Sequence, residues 1–110
     1  MNKKIDKQKQ LEVLFKVIDH YNLSDLTANH ASILSSDKKG FYINKHKYLF
    51  SEIKKNNLNY VNLKDDYGVR YKEVNKAGFY IHKFLHNCVA KPSAILHTHS
   101  INGVAISCLK

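Results

Sequence analysis

Two histidines with one threonine between them lie near the end of the chain, in the segment AILHTHS at positions 94–100. Side chains two positions apart on a strand point to the same side of the sheet, so His97 and His99 can direct both imidazoles at one cation. Zinc is commonly bound by histidine nitrogen, and a catalytic zinc site uses three protein ligands and one open position. The pair therefore predicts half of a zinc site. The alternative is a strand end with one histidine packed and the other exposed.

A second pair of histidines, His82 and His86, is spaced by one helical turn and can also chelate a metal ion. The simpler interpretation is that His82 packs or caps within the fold and that His86 is exposed. Four carboxylates are candidate acids or cation ligands, although a surface or turn position explains each of them: Glu52, Glu73, Asp65 and Asp66.

The charge of the chain does not indicate a nucleic-acid partner, although its formal net charge is +9. Arg70 is the only arginine, whereas bidentate recognition of phosphate and guanine usually uses arginine. Lysines are spread along the whole sequence. The cluster of Lys3, Lys4, Lys7 and Lys9 is interpreted as the solvated face of a helix, with contact to an anionic partner as the alternative.

No targeting signal or membrane span is predicted. Residues 2–10 are polar, and the apolar stretch at 11–18 is interrupted by Glu12 and Lys16, so we expect no signal peptide. No run approaches the roughly 20 apolar residues that cross a bilayer. We therefore expect a cytoplasmic protein without a membrane partner. Cys88 and Cys108 lack the CxxC spacing of redox motifs and are expected to be buried free thiols.

The hydrophobic pattern predicts helices and strands that alternate along the chain. Helical spacing of apolar residues predicts a helix from about Asp6 to His20 and a second one over Asn75–Asn87, which the segment Lys91-Pro92 ends. Ser100 is expected to be the N-cap of a last helix that continues through residues 102–109. Strands are predicted at 27–34, 41–44, 58–63 and 93–97, with a hairpin connection at 35–40 and a turn at 65–68.

Interleaved strands and helices in 110 residues predict one domain of the α/β class. The strand at 93–97 is expected to be buried and to break directly into a helix. Because α/β proteins bind ligands at the carboxyl ends of strands, this placement favours the metal interpretation of His97 and His99. The apolar run at 104–109 predicts a surface that packs against a partner.

Several motifs occur in an order that is typical of one family. They are LTANHAS at 26–32, FYIN at 41–44, LFSEI at 49–53, the strand at 58–63, NKAGFYIH at 75–82, LHTHS at 96–100 and GVAIS at 103–107. The resemblance that they carry covers about residues 23–110, nearly the whole chain. The set resembles the class II aldolase and adducin head-domain family.

The resemblance implies a three-layer α/β/α domain with a mostly antiparallel central sheet. It divides residues 1–110 into a leading helix, up to about residue 22, and a family core over 23–110. The enzymes of this family hold zinc with three histidines, and the zinc polarises a carbonyl while a carbon–carbon bond breaks or forms. A glutamate is the acid/base, and loop residues hold a substrate phosphate. Adducin-like members act in protein interactions instead.

This chain matches only some of the family's zinc ligands and does not match its catalytic glutamate. His97 and His99 match two of the zinc ligands, whereas the third family histidine lies downstream of Lys110. The resemblance therefore implies a half-site for Zn²⁺ and a domain that is incomplete at its C-terminus. In the family's enzymes the catalytic glutamate lies four residues before the histidine of the helix. The equivalent position in this chain, four residues before His82, is Gly78, and glycine cannot transfer a proton.

One substrate-binding residue carries over as well. Asn29 matches an asparagine of the phosphate loop, although Ala28 stands where the family usually has glycine. The Ala-Gly pair at 77–78 is also the pattern of the adducin-like branch. No catalytic residue is therefore assigned.

Three functions remain open from the sequence. The first is a zinc-dependent lyase acting on a small carbonyl substrate such as a sugar phosphate, completed by a second copy or by a complementing chain. The second is a non-catalytic adducin-like interaction module. The third is the remnant of a split or decaying gene. The isolated chain is expected to be inactive or nearly so, because Gly78 replaces the glutamate.

Overall fold

A computed structural model describes residues 6–110 as alternating helices and strands. The helices are α1 (Lys7–His20), α2 (Lys76–Asn87) and α3 (Ile101–Ser107), and the strands are β1 (His30–Leu34), β2 (Gly40–Ile43), β3 (Asn59–Asn62) and β4 (Ala94–His97). Short 3-10 helices occupy Phe50–Glu52, Lys55–Asn57 and Val69–Tyr71. Lys3 and Lys4 of the predicted N-terminal lysine cluster lie outside the described residues.

The four strands form one sheet in the order β3-β2-β1-β4, and each neighbouring pair is antiparallel. Strand β1 is central and is buried along its whole length. Its register with β4 places His30 directly opposite His97. The predicted hairpin at 35–40 joins β1 to β2, where the N–H of Ser35 donates to the carbonyl of Gly40 at 2.8 Å. The expectation of an antiparallel sheet is confirmed for these strands.

Helix α1 covers one face of this sheet. Asp6 is its N-cap and accepts a hydrogen bond from the N–H of Gln8 at 3.1 Å, which satisfies a donor that the helix itself leaves unpaired. Its apolar side packs into a buried cluster formed by Leu11, Phe15, Ile18, Ala31, Ile33, Phe50 and Ile53. The helical spacing of Leu11, Phe15 and Ile18 is what places these side chains on one stripe.

Helix α2 covers the opposite face of the sheet. Alternate residues of a strand point to opposite sides, so each strand supplies side chains to both faces. Asn75 is its N-cap and accepts from the N–H of Gly78 at 2.9 Å. The second buried cluster consists of Phe41, Ile43, Val61, Tyr71, Val74 and Phe79. With α1 on one side and α2 on the other, the described residues form the α/β/α layers that the sequence predicted.

Strand β4 and helix α3 differ from the prediction in their exposure. The strand at 93–97 was expected to be buried, but residues of β4 alternate between exposed and half-buried. The reason is that β4 is an edge strand that pairs only with β1 in the described sheet. Helix α3 has no buried residue, and Ile101 is 87% exposed.

The burial predicted for the two cysteines is wrong, whereas their prediction as free thiols is confirmed. Cys88 is half-buried and Cys108 is exposed, and both are free thiols. Cys88 follows the last turn of α2 as its C-cap, and Cys108 follows α3, which packs on no described core.

Strand β1 begins at His30, three residues later than the predicted start at Thr27. The preceding segment is a turn, in which the N–H of Ala28 donates to the carbonyl of Asp25 at 2.9 Å. Leu26 has a φ of 47°, a left-handed conformation that no strand residue adopts. This turn leads directly into the candidate site.

None of the helices in the described range 6–110 is long and apolar enough to cross a membrane.

Candidate functional site

The two histidines of the HTH motif lie at the carboxyl end of β4 and face each other. Their Nε2 atoms are 2.8 Å apart, and the ring planes meet at 85°. His97 is half-buried, whereas His99 is exposed. Two imidazole nitrogens therefore converge on one point at the surface, next to the N-terminus of α3.

His99 is also held from its other side. Its Nδ1 lies 3.1 Å from Oδ2 of Asp25, a residue of the turn before β1. A carboxylate can only accept, so the proton of this contact belongs to Nδ1 of His99. In the neutral imidazole Nε2 then carries a lone pair, and Nε2 of His97 is the donor in the contact between the two histidines.

Asn29, the predicted substrate-binding residue, lies at the end of the same turn and is 1% exposed. Its Oδ1 accepts a hydrogen bond from the N–H of Asp25, and its carbonyl accepts from Nδ2 of Asn44 at 3.3 Å. Its own Nδ2 has no hydrogen-bond partner within residues 6–110. A buried amide donor without a partner is unusual, and it marks Asn29 as a position whose hydrogen bonding the described residues do not complete.

His30 connects His97 to the buried interior of the protein. Its ring stacks on that of His97, with centroids 4.5 Å apart and planes 10° apart. Burial lowers the pKa of His30 to about 4, with further contributions from His97 and His99. His30 is therefore a neutral imidazole near pH 7.

A chain of hydrogen bonds continues from His30 beneath the sheet. Nδ1 of His30 lies 2.7 Å from Nε2 of His82, and Nδ1 of His82 contacts Oγ of Ser32. Oγ of Ser32 lies 2.8 Å from Nε2 of His86, and Nδ1 of His86 lies 2.9 Å from the carbonyl of Pro92. We call these four side chains the buried histidine chain.

The carbonyl of Pro92 fixes every proton in the buried histidine chain. A carbonyl only accepts, so His86 donates from Nδ1 and accepts at Nε2 from the hydroxyl of Ser32. Ser32 has no second proton, so His82 donates to it from Nδ1 and accepts at Nε2 from His30. All three imidazoles are neutral in this arrangement. Burial lowers the pKa of His82 to about 3, and it also lowers the pKa of His86.

The buried histidine chain was found only in part from the sequence. His82 was expected to pack, but the exposure predicted for His86 is wrong, because that side chain is 1% exposed. His30 and Ser32 were not singled out. Their spacing of two residues on a strand, facing two histidines one helical turn apart, was the available signal.

Position 78 faces His30. A Cβ at Gly78 would lie 3.1 Å from the Cγ and Cδ2 atoms of the His30 ring. The imidazole therefore occupies the space next to the position where the sequence resemblance puts a glutamate. Gly78 has no side chain that could act as a general acid or base at this position.

The remaining candidate carboxylates have ordinary structural partners. Glu73 bridges Lys45, at 2.8 Å, and Lys47, and these two hydrogen bonds lower its pKa to about 2. Oε2 of Glu52 accepts from a backbone N–H at 2.9 Å in a short 3-10 helix. Asp65 accepts from the hydroxyl of Tyr71, and Asp66 lies 3.5 Å from Lys83.

Across the described residues, no group of three or more histidine, cysteine, aspartate or glutamate side chains is arranged to hold a metal ion. His97 and His99 are thus a pair. An open depression lies beside them, lined by Asp25, His99 and three apolar residues of α3, namely Ile101, Val104 and Ala105. Its apolar wall is the uncovered side of that helix.

Comparison with known proteins finds similarity to class II aldolases and adducins. Residues 9–110 match the family model described as the class II aldolase and adducin N-terminal domain. The chain is 30% identical to alpha-adducin of Rattus norvegicus over 105 residues, which is 92% of this chain and 14% of that protein. It is also 30% identical to a protein of Pseudomonas aeruginosa that is named a putative aldolase class 2 protein, over 91% of this chain and 39% of that one.

Solved structures show the same fold. An aldolase II superfamily protein from Pseudomonas syringae superposes with a TM-score of 0.79 at 27% identity, over 97% of this chain and 46% of that one. L-fuculose 1-phosphate aldolase from Glaciozyma antarctica superposes with a TM-score of 0.79 at 26% identity, over 92% of this chain and 43% of that one. The chain spans less than half the length of each of these relatives.

Proposed function

Since the chain belongs to the class II aldolase and adducin N-terminal domain family, we propose that His97 and His99 are two ligands of a zinc ion in a protein related to sugar-phosphate lyases. The observation that supports this most is the convergence of their Nε2 atoms, 2.8 Å apart at the end of an edge strand. Zinc binding would release the proton that Nε2 of His97 donates to His99. The same edge remains open for a substrate.

The residues present fit zinc as half of a site. Imidazole nitrogen is a preferred zinc donor, and the open surface at His99 leaves room for further ligands. A third protein ligand has to come from outside the described residues. We propose that a second copy of this chain or a complementing chain supplies it, because the pair lies beside the uncovered surface of α3 and β4.

A zinc ion bound here would act as a Lewis acid toward the carbonyl of a small substrate such as a sugar phosphate. The chain itself contributes the two imidazoles and the stacking of His30, which limits the rotation of His97. Asn29 offers its unpartnered Nδ2 as a hydrogen-bond donor for an anionic group such as phosphate.

This chain has no residue that can transfer a proton at the position of the family's catalytic glutamate. Gly78 stands there, and the neighbouring space is filled by a neutral histidine. General acid–base catalysis contributes about 10²- to 10⁴-fold to a rate. We therefore propose that the chain alone has no lyase activity or very little.

The alternative function is a non-catalytic interaction module like the adducins. It is favoured by the identity of 30% with alpha-adducin and by the large apolar side chains that α3 exposes. In this case the two histidines need not bind metal, and the surface of α3 and β4 would bind a protein partner. A cytoplasmic location stays a prediction from the sequence.

Zinc content decides between the two functions. Elemental mass spectrometry would be run on a monodisperse fraction of the wild type, of H97A/H99A and of H20A/H46A, whose two histidines are exposed. Near-stoichiometric zinc in the wild type and in H20A/H46A, with loss in H97A/H99A, supports the metal site. A folded wild type without zinc favours the interaction module.

A lyase assay with phosphorylated ketoses and aldoses tests the predicted lack of activity. Clear turnover by the wild type that disappears in H97A would overturn it.

A further inference from the structure

Asp25 and His99 are separated by 74 positions in the sequence and meet at the candidate metal site. Oδ2 of Asp25 lies 3.1 Å from Nδ1 of His99, on the side of the ring away from the nitrogen that faces His97. Nothing in the sequence pattern connects these two residues. The contact exists because β1 and β4 are neighbours, so that the turn before β1 lies next to the end of β4.

The backbone N–H and the backbone carbonyl of Asp25 are both hydrogen-bonded. Its N–H donates to the side-chain oxygen of Asn29, and its carbonyl accepts from the N–H of Ala28 at 2.9 Å. Asn29 is itself buried and bonded to Asn44. The carboxylate therefore extends from a fixed turn, although the side chain itself is exposed.

A carboxylate in this position selects one tautomer of the imidazole. Because it only accepts, it stabilises the proton on Nδ1 and leaves the lone pair on Nε2. Metal-binding histidines in proteins commonly donate their other ring N–H to a carboxylate, and this contact fixes the ring and makes the ligand nitrogen more basic. Asp25 also places a negative charge beside the pair, in a chain whose net charge of +9 repels cations.

His99 needs such a contact more than His97 does. His97 is half-buried and stacked on His30, so packing limits its orientation. His99 follows the end of β4 and is exposed, so its ring can rotate unless a hydrogen bond holds it.

We propose that Asp25 is a positioning residue that holds His99 in the tautomer with Nδ1 protonated and its Nε2 available to a metal ion. The consequence for metal affinity rests on the proposed zinc site, whereas the effect on the tautomer does not. The two consequences can be measured separately.

The first measurement is ¹⁵N NMR of the histidine ring nitrogens in the metal-free chain at neutral pH. In the wild type and in D25N, which keeps a carbonyl oxygen as acceptor, Nδ1 of His99 is expected to be protonated. In D25A both tautomers are expected. An unchanged tautomer in folded D25A overturns the proposal.

The second measurement is the Kd for zinc by titration in the presence of a competing chelator. D25A is expected to bind zinc 10- to 100-fold more weakly, the range typical for the loss of such a partner, with D25N between D25A and the wild type. D66A removes the same charge from a carboxylate that is almost fully exposed and is expected to stay within about twofold of the wild type.

The outcomes separate the two proposals. If the wild type binds no zinc but D25A changes the tautomer of His99, the zinc site fails and the positioning role stands. If the wild type binds zinc and D25A changes neither the tautomer nor the Kd, the positioning role fails and the zinc site stands. An equal loss of affinity in D25A and D66A with an unchanged tautomer overturns the positioning role in favour of a simple charge effect.

Discussion

The imidazole of His30 lies flat against that of His97, with ring centroids 4.5 Å apart and planes 10° apart. The two residues are directly opposite each other in the antiparallel pair of β1 and β4. Cross-strand neighbours interact side by side, so this stack connects the buried histidine chain to the candidate metal ligands. Changes in the interior are therefore expected to reach the surface site through His30.

The S32A variant is expected to lower the free energy of unfolding by about 1–3 kcal/mol. Ser32 is buried, and its loss leaves a donor on His82 and an acceptor on His86 without partners. Urea unfolding would measure this change. S51A, at an exposed position, is the control and is expected to change the unfolding midpoint little. Equal midpoints for the two variants would show that the buried contacts do not contribute to stability.

Stability is expected to fall as the pH is lowered from about 6.5 toward 3. The pKa of His82 is about 3 in the folded protein and 6.5 ordinarily, so within this range only the unfolded chain takes up the proton. The loss for His82 is about 1.4 kcal/mol per pH unit. His86, whose pKa is also lowered by burial, changes stability in the same direction.

The pH dependence can be assigned with two variants. Urea unfolding at several pH values would compare the wild type with H82Q and with H46Q, whose side chain is exposed. H82Q is expected to be less stable at neutral pH and to lose less stability on acidification. A pH slope in H82Q that equals that of the wild type and H46Q would exclude His82 as its source.

Restoring the glutamate, in the variant G78E, is expected to destabilise the fold by about 1–3 kcal/mol, the usual cost of overpacking. The new Cβ would lie 3.1 Å from the ring of His30, which is held between His82 and His97 and cannot move away. G68E is the matched control, because a Cβ at Gly68 has no neighbour within 4 Å.

A double-mutant cycle tests the cause of the G78E effect. In an H30A background the cost of G78E is expected to be clearly smaller, because the clash is removed. Additive effects of G78E and H30A would mean that the two positions do not compete for the same space.

Helix α3 is expected to exchange its amide hydrogens much faster than β1. It has seven residues and buries none of them, and helices this short are marginal without packing. Strand β1 is central and fully buried, so its amides are expected to open only on global unfolding. Hydrogen exchange with mass spectrometry would compare peptides from the two elements. Equal protection would show that a surface such as a second copy already covers α3 in solution.

Elements with strong local signals were predictable from the sequence. The apolar stripe of α1, the N-cap Ser100, and the hairpin between β1 and β2 all depend on residues close together in the chain. The spacing of the HTH motif also predicted that its two histidines lie close together, although only His97 belongs to β4 and His99 follows it. These local relations placed His97 and His99 together correctly.

Burial was less predictable, because it depends on what covers an element. The apolar residues of 93–97 suggested a buried strand, yet β4 is a sheet edge and stays partly exposed. His86 shows the opposite error. It is polar and near the end of its helix, but the helix carries it against Ser32 and the carbonyl of Pro92.

The sequence by itself determined the α/β class, the family and the two histidines that face a common point, because these features follow from short-range periodicity and from ordered motifs. Only the tertiary structure decided that His30, Ser32, His82 and His86 form one hydrogen-bonded chain and that Asp25 contacts His99. Those contacts join residues 50 to 74 positions apart, and they exist because strand pairing and helix packing bring distant segments within hydrogen-bond distance.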